Sequence, residues 1–236
     1  MNAHVDIGGS EVLTLKGALL VYKGRSRGFI TWHEVRASPT GGAPFLGEAQ
    51  ELTTEFVHHL AEGLRTAIPN EILPENILAR TAETLAWWTP ATVRAMFFAA
   101  HDPEAQKLNG KRFSQPPLVW KVNGRDLWVR ALPESRRPVA STPLMIAPYW
   151  NVDGETGWTC QGSMHSPDDV GVSAMPLWER AFYQSEFTHH TGARRLTTHP
   201  HGFLGLWSSL AGGRRKFPVR CLAPANETLQ EFITRR

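Results

Sequence analysis

Cysteine is scarce in this chain, with only Cys160 and Cys221 among 236 residues. A disulfide framework is therefore excluded, and we expect both side chains to be free thiols. Long apolar runs are also absent, since no stretch approaches the roughly 18 residues of a membrane-spanning helix. The N-terminal stretch MNAHVDIGGSEVL lacks the basic start and apolar centre of a signal peptide. We therefore expect a cytoplasmic protein with no membrane contact.

Several common functional motifs are missing as well. The chain has no phosphate-binding loop ending in Lys-Ser/Thr, no dinucleotide fingerprint and no Gly-x-Ser-x-Gly. Charge is nearly balanced, with 25 Lys and Arg against 22 Asp and Glu, a formal net charge of +3. The basic clusters GGRRKFPVR and TRR are short and carry no aromatic nucleic-acid-binding motif. We do not expect nucleic-acid binding.

What is present is the composition of an ordinary globular protein, 42% hydrophobic and 20% charged. The length suits one sizeable core, and no linker or internal repeat divides the chain. We therefore predict a single domain over residues 1–236. Its parts are an N-terminal hairpin extension at 1–46, a core at about 47–224, and a C-terminal helix or tail at 225–236.

The first half of the chain mixes strand and helix patterns. Residues 12–35 predict a hairpin, because β-branched and aromatic residues flank the turn GRSRG. From about Gly47 to Arg65 the apolar residues follow helical spacing and predict an amphipathic helix. Residues 72–100 fit either two strands or a strand and a short helix. Their large aromatic residues are predicted to be buried, namely Trp87, Trp88, Phe97 and Phe98.

The second half predicts a meander followed by helices. Strands at 118–122 and 127–131 flank Asn123-Gly124, a pair that suits a turn with positive φ. A third strand is predicted in TPLMIAPYW, before a Gly-rich stretch that contains Cys160. Helices are predicted in AMPLWERAFYQSEFTHH and FLGLWSSLAG. This order of elements predicts an α+β fold, an antiparallel β-meander flanked by helices with an N-terminal β-hairpin and helix extension.

Cys160 lies in APYWNVDGETGWTCQGSMHSP, where its neighbours make no apolar run. A structural cysteine usually lies within an apolar element, whereas a loop cysteine near backbone N–H groups can act as a thiolate nucleophile. The residues alone leave three roles open for Cys160: a packed thiol, a metal ligand or a nucleophile. Cys221, in FPVRCLAP, has the pattern of a half-buried strand residue.

A metal site or a Cys/His hydrolase are alternatives to a simple thiol role. Zinc accepts Cys and His ligands, but no Cys-x-x-Cys or His-Glu-x-x-His spacing is present. His199 or His201 could serve as the base for Cys160 in a hydrolase. The histidines that could take part are His165, His189, His190, His199 and His201.

The stretch before Cys160 resembles the active-site segment of ubiquitin-conjugating (UBC) enzymes, which reads His-Pro-Asn, a short loop, then Gly-x-x-Cys. Here Asn151, Gly157 and Cys160 match, while Tyr149-Trp150 replaces His-Pro. The wider chain is similar to a bacterial branch of that superfamily, prokaryotic ubiquitin-conjugating family D, to which protein B of the PRTRC cassettes belongs. The stretches that carry this similarity are WWTPATVRAMFF, APYWNV, TCQGS and FTHHTGARRLTTHPHGF.

The resemblance implies a thioester carrier with Cys160 as its nucleophile. Asn151 would stabilise the oxyanion, and His165, Asp168 or Asp169 would assist attack by a lysine. Three further residues would form the loop and contact surface around the thiol: Gly157, Trp158 and Gly162. The implied partners are a ThiF-type activating enzyme and a small ubiquitin-like protein, with no metal or cofactor. The same fold could instead serve as a catalytically silent binding module for the ubiquitin-like protein or for ParB-related partners.

Overall fold

The structure, a computed structural model, describes residues 4–5, 13–24, 28–63, 72–81, 83–168, 171–190, 192 and 194–235. By its internal contacts the chain divides into two compact units, residues 1–70 and 71–236. The prediction of one domain with an extension at 1–46 stays a prediction. No helix among the described residues has the length and apolar character to cross a membrane.

The first unit contains short antiparallel sheets and one helix. The elements are β1 (His4–Val5), β2 (Leu13–Thr14), β3 (Gly17–Lys23), β4 (Gly28–Arg36), β5 (Phe45–Gln50) and α1 (Thr54–Gly63). Strands β3 to β5 form a three-stranded sheet in sequence order, and β1 pairs with β2. The ring of Trp32, on β4, lies 4.6 Å from the ring of Phe56, on α1.

The predicted hairpin at 12–35 is confirmed as β3 and β4, but the helix predicted from Gly47 begins later. Residues 45–50 form strand β5 on the edge of β4, where Trp32 pairs with Gln50. The helix begins only after Thr53, whose hydroxyl accepts a hydrogen bond from the amide of Phe56 at 3.1 Å. This long-range pairing outweighs the local helical pattern.

The strands of the second unit are β6 (Ile77–Arg80), β7 (Thr84–Thr89), β8 (Thr92–Ala95), β9 (Phe97–Phe98), β10 (Arg112–Gln115), β11 (Leu118–Asn123), β12 (Asp126–Ala131), β13 (Pro143–Ile146), β14 (Glu186–Phe187) and β15 (Pro224–Thr228). The helices of this unit are α2 (Pro103–Gln106), α3 (Met175–Gln184), α4 (Gly202–Leu210) and α5 (Leu229–Thr234).

The second unit is built on a six-stranded antiparallel sheet in the order β15-β13-β12-β11-β7-β6. The predicted α+β class, with a β11-β12-β13 meander, is confirmed. Among the described residues of the stretch 72–100, the regular elements are the four strands β6 to β9, so the interpretation as strands without a helix is the one observed.

Strand β11 is buried on both faces of the sheet. Trp120 packs with the aromatic side chains of α3, its ring 5.2 Å from that of Phe182. Val119, on the opposite face, belongs to a cluster with Phe232 of α5. Successive strand residues point to opposite faces, so helices on both sides bury the whole strand. The turn to β12 uses Gly124 at φ 57°, which confirms the predicted hairpin.

The C-terminal helix is held by a buried lysine on β11. Lys121 Nζ donates to the carbonyl oxygens of Phe232, at 3.1 Å, and Arg235. Cations near a helix C-terminus are favourable because unpaired carbonyls cluster there. Burial and nearby Arg235 lower the pKa of Lys121, partly opposed by Glu227. Residues 225–236, predicted as a helix or tail, thus supply most of strand β15 and all of α5.

Three further predictions are corrected by the second unit. The helix predicted in AMPLWERAFYQSEFTHH ends at Gln184, because residues 186–187 pair as β14 with β9. Cys221, predicted as a half-buried strand residue, is buried and lies in a 3-10 turn. Trp87 and Phe98 are buried, whereas Phe97 is 37% exposed.

Candidate functional site

Cys160 follows a short segment that extends the main sheet. Strand β13 pairs with β12 only at Arg130 and Ala131. The earlier residues of β12 therefore have no β13 partner along that edge. Residues 157–159 occupy this edge. The amide of Val129 donates to the Gly157 carbonyl and the amide of Thr159 donates to the Leu127 carbonyl, both at 2.8 Å. The backbone just before the thiol is therefore fixed by sheet hydrogen bonds.

The residues before this segment fold back on it as a compact turn. Val152 bridges Thr159 in antiparallel fashion. The amide of Cys160 donates to the Asn151 carbonyl at 2.7 Å, and the amide of Asp153 donates to the Trp158 carbonyl at 2.8 Å. The predicted Asn-to-Cys segment is thus a narrow hairpin with Cys160 at the base of its second arm. Cys160 is partly exposed, whereas Cys221 is buried.

The carboxylate of Asp153 shapes the tip of this hairpin. It accepts hydrogen bonds from the amide of Thr156 at 2.7 Å and from its hydroxyl at 2.8 Å. Partial burial raises the pKa of Asp153, but these hydrogen bonds favour the ionised form and outweigh burial, so the net pKa is lowered. An ionised Asp153 therefore holds the turn that leads into the cysteine segment.

A buried arginine on β12 binds the same turn from the side. Arg130 is fully buried, and its Nε donates to Glu227 at 2.5 Å. Its Nη1 donates to the Gly154 carbonyl at 3.0 Å, and its Nη2 donates to the Glu155 carbonyl at 2.5 Å. Burial lowers the pKa of Arg130, and Glu227 opposes this shift. The planar guanidinium thus connects three acceptors that a lysine ammonium could not match in geometry.

The C-terminal helix completes this network. Arg235 Nη1 lies 3.0 Å from Glu227, and its Nη2 donates to the Thr156 carbonyl at 2.5 Å. Glu227 therefore pairs with one arginine from the sheet and one from the end of α5. We call Arg130, Glu227 and Arg235 the arginine clamp. It fixes three successive carbonyls of the turn before Cys160.

Gly157 is required by the close packing of the clamp. It has φ 76°, and a Cβ there would lie 3.0 Å from the Val129 carbonyl and 3.1 Å from Arg130 Nε. A side chain would therefore be strained in the backbone and crowded against β12. Gly162, after the thiol, has φ 43° and open space around it.

The carboxamide of Asn151 is engaged away from the hairpin tip. Its Nδ2 donates to Ser185 Oγ at 3.2 Å and to the Glu186 carbonyl at 3.4 Å. Asn151 is only 6% exposed. In this conformation the hydrogen bond between the two residues runs from the Cys160 amide to the Asn151 backbone carbonyl. Its side chain holds the cysteine hairpin against the end of α3.

The other predicted site residues that the structure describes are exposed at the surface. Trp158 is 36% exposed, and its Nε1 donates to Asp126 at 3.1 Å. Asp168 is exposed and pairs with Arg125 of the β11–β12 turn. His165 is exposed and lines a cavity of about 300 Å³ beside α3. Asp169 lies outside the described residues.

The histidine cluster does not form a metal site in the part of the chain that the structure describes. The rings of His199 and His201 are 5.8 Å apart, and the His201 amide donates to His199 Nδ1 at 3.2 Å. His189 and His190 are exposed. Among the described residues no group of three or more His, Cys, Asp or Glu is placed to hold a metal ion.

The arginine clamp is not among the site residues that the sequence predicts. Its one local signal is Arg130 in the strand LWVRA, between apolar residues. A charged side chain in a buried strand requires a partner, so this pattern could have indicated a buried ion pair. The partners Glu227 and Arg235 are about a hundred residues away in the sequence and no local pattern identifies them.

Comparison with known proteins gives one result. The family model described as prokaryotic E2 family D matches residues 53–225, well over half of the chain. No curated protein and no solved structure shows a significant match. The fold agrees with the family, since the antiparallel meander flanked by helices is UBC-like. The chain therefore belongs to prokaryotic E2 family D.

Proposed function

We propose that this protein carries a ubiquitin-like protein as a thioester on Cys160. The observation that carries the proposal is the position of Cys160, a partly exposed thiol directly after a segment bonded to the main sheet of an E2-family fold. A thiolate is a strong nucleophile, and a fixed backbone reduces the entropy lost in aligning it with a second protein. Cys221 is buried and does not meet these requirements.

The proposed step is a transthioesterification. The Cys160 thiol loses its proton, and Sγ attacks the carbonyl carbon of the thioester between the ubiquitin-like C-terminus and the activating enzyme. A new C–S bond forms and the carbonyl oxygen becomes an oxyanion. Collapse breaks the original C–S bond, and the activating enzyme's cysteine leaves as a thiolate, which takes up from solvent a proton in place of the one that Cys160 released to it. The bonds broken and formed are alike, so the transfer needs no cofactor.

Hydrogen-bond donors near Sγ would stabilise the oxyanion. The candidates are backbone amides of the Gly-rich turn around Gly162 and the carboxamide of Asn151. Loss of one such donor costs about 10²–10³ in rate. The Asn151 carboxamide would first have to leave Ser185 and Glu186.

Release to a target would follow by attack of a lysine amine on the Cys160 thioester. The C–N bond forms, the Cys160 thiolate leaves, and the amine proton passes to a base. His165 and Asp168 are the proposed bases, and both are exposed on the segment after the thiol. Asp168 is paired with Arg125, so it would have to exchange this partner to accept the proton.

The proposed partners follow the resemblance to the PRTRC cassettes: a ThiF-type activating enzyme, a small ubiquitin-like protein and a cytoplasmic setting. The test mixes purified protein with these two partners and ATP. We expect an adduct on non-reducing gels that is lost on adding thiol. Cys160→Ser should abolish it or replace it with a thiol-resistant ester, whereas Cys221→Ser should leave it unchanged. An adduct that persists unaltered in Cys160→Ser would refute the assignment.

A second candidate function is a catalytically silent binding module. The observation that favours it is the pair of hydrogen bonds that the Asn151 carboxamide donates to Ser185 and to the Glu186 carbonyl. The same assay separates the two functions. A silent module would bind the ubiquitin-like protein, as measured by calorimetry, and would form no adduct at any thiol.

A further inference from the structure

The basic cluster GGRRKFPVR is not used by the proposed thioester chemistry, and it borders a large groove. The groove has a volume of about 640 Å³ and lies in the second unit between β8, β10, the turn at 133–135 and the segment at 213–219. None of its lining residues belongs to the cysteine hairpin or to the segment that follows it. It is therefore a separate surface of the same unit.

The walls of the groove are largely apolar. They come from four different parts of the chain and include Val93, Pro117, Pro133, Phe217 and Val219. Val219 is 40% exposed. Of these wall residues, Val93, Pro133 and Val219 are at least partly exposed, and they offer apolar contact area that a bound apolar side chain would remove from water.

One side of the groove carries three consecutive exposed cations, Arg214, Arg215 and Lys216. Glu134 also lines the groove, and it pairs with Arg136 at 2.8 Å. Within the described residues no ion pair is formed by the three cations. A ligand with carboxylates would supply the missing partners.

We propose that this groove binds an acidic peptide segment of a partner protein, with an apolar side chain inserted between the proline and valine walls. Carboxylates of the segment would pair with Arg214, Arg215 and Lys216. Charge complementarity of this kind mainly sets specificity and association rate, while the apolar contact adds affinity. Binding here does not depend on the chemistry of Cys160.

Nucleic acid fits the groove less well. Proteins that bind single-stranded nucleic acid provide aromatic rings on which bases stack. The one aromatic residue among those that line the groove, Phe217, is buried. The apolar walls with cations on one side therefore favour a peptide.

The test screens the 236-residue chain against an array of peptides in which Glu or Asp alternate with Leu, Ile or Phe. The best peptide is labelled with fluorescein and titrated by anisotropy. We expect Arg214→Glu/Lys216→Glu to weaken binding at least about tenfold, which corresponds to the loss of two close ion pairs. Replacing the peptide's acids with Gln and Asn, or its apolar residues with Ala, should weaken binding to a similar degree.

The matched control is Arg112→Glu/Arg220→Glu, which makes the same change in net charge at two exposed residues that do not line the groove. We expect it to reduce affinity less than about threefold, because screened charges outside the groove act only at long range. The proposal is overturned by equal effects of the two variants, by an array without charge-dependent binding, or by tighter binding of a labelled single-stranded DNA that the peptide displaces.

Discussion

Replacing Arg130 with methionine tests the arginine clamp, because methionine keeps much of the side-chain volume and removes every donor. Removing one partner of a buried ion pair costs about 3–5 kcal/mol. Glu227 retains Arg235 as a second partner at 3.0 Å, so we expect the lower value, about 3 kcal/mol. With an m-value of about 2 kcal/mol per M, the urea midpoint should fall by about 1.5 M.

Two measurements separate the clamp from general damage to the core. Urea unfolding followed by tryptophan fluorescence gives the free energy of unfolding. The rate of Cys160 alkylation by iodoacetamide, measured in a Cys221→Ser background, reports on the turn, and we expect it to rise in Arg130→Met. Arg130→Lys should recover only part of the stability, because an ammonium cannot donate in three fixed directions.

The controls for this prediction use the chain's other charges. Arg112→Met removes an exposed arginine and should change stability by less than about 0.5 kcal/mol. Arg130→Met/Glu227→Gln should be more stable than Arg130→Met, because it removes the carboxylate left with a single partner. If Arg130→Met is no more destabilising than Arg112→Met, the clamp does not hold this turn.

Three further predictions concern the same unit. Gly157→Ala should lower the free energy of unfolding by about 1–3 kcal/mol and Gly162→Ala by about 1 kcal/mol, because only the former adds a close contact to the strain of positive φ. Urea titration checks both values. Equal losses in the two variants would contradict the crowding at Gly157. Arg235→Ala should cost less than Arg130→Met in the same titration, about 1–2 kcal/mol, since Glu227 keeps its buried partner. Burial raises the pKa of Glu179 above 4.5 despite opposing hydrogen bonds, so the folded state binds its proton more tightly than the unfolded state. Wild type should therefore gain stability relative to Glu179→Gln as pH falls through the raised pKa towards 4.5, and a pH-independent difference in thermal unfolding would contradict this.

The sequence predicted elements well where the signals are local. The β11–β12 hairpin is an example, because Asn123-Gly124 lies between two alternating strands and Gly124 takes the positive φ that this turn requires. The helix predicted from Gly47 was placed too early, since residues 45–50 pair with a strand that precedes them. The spacing of apolar residues within one stretch gives no information about a pairing partner elsewhere in the chain.

The candidate site shows the same limit. Cys160 is singled out by the scarcity of cysteine and by its Gly-rich neighbours, whereas its predicted role and that of Gly157 come from the resemblance of one short stretch to the ubiquitin-conjugating active-site segment. The geometry around them depends on Arg130 and on Glu227, which are separated by 97 residues. Burial and charge pairing at that separation become visible only when the sheet and the C-terminal helix are assembled.

The pairing of residues 157–159 with the edge of β12 has a consequence for changes in chain length. Trp158 is exposed, Thr159 is buried and Cys160 is partly exposed, as expected for alternation along a strand. Inserting one residue between Gly157 and Cys160 would turn the thiol towards the opposite face of the sheet. An insertion at the hairpin tip would leave this register intact. The number of residues between the β12 pairing and Cys160 thus determines the face on which the thiol lies, and the length of the preceding loop does not.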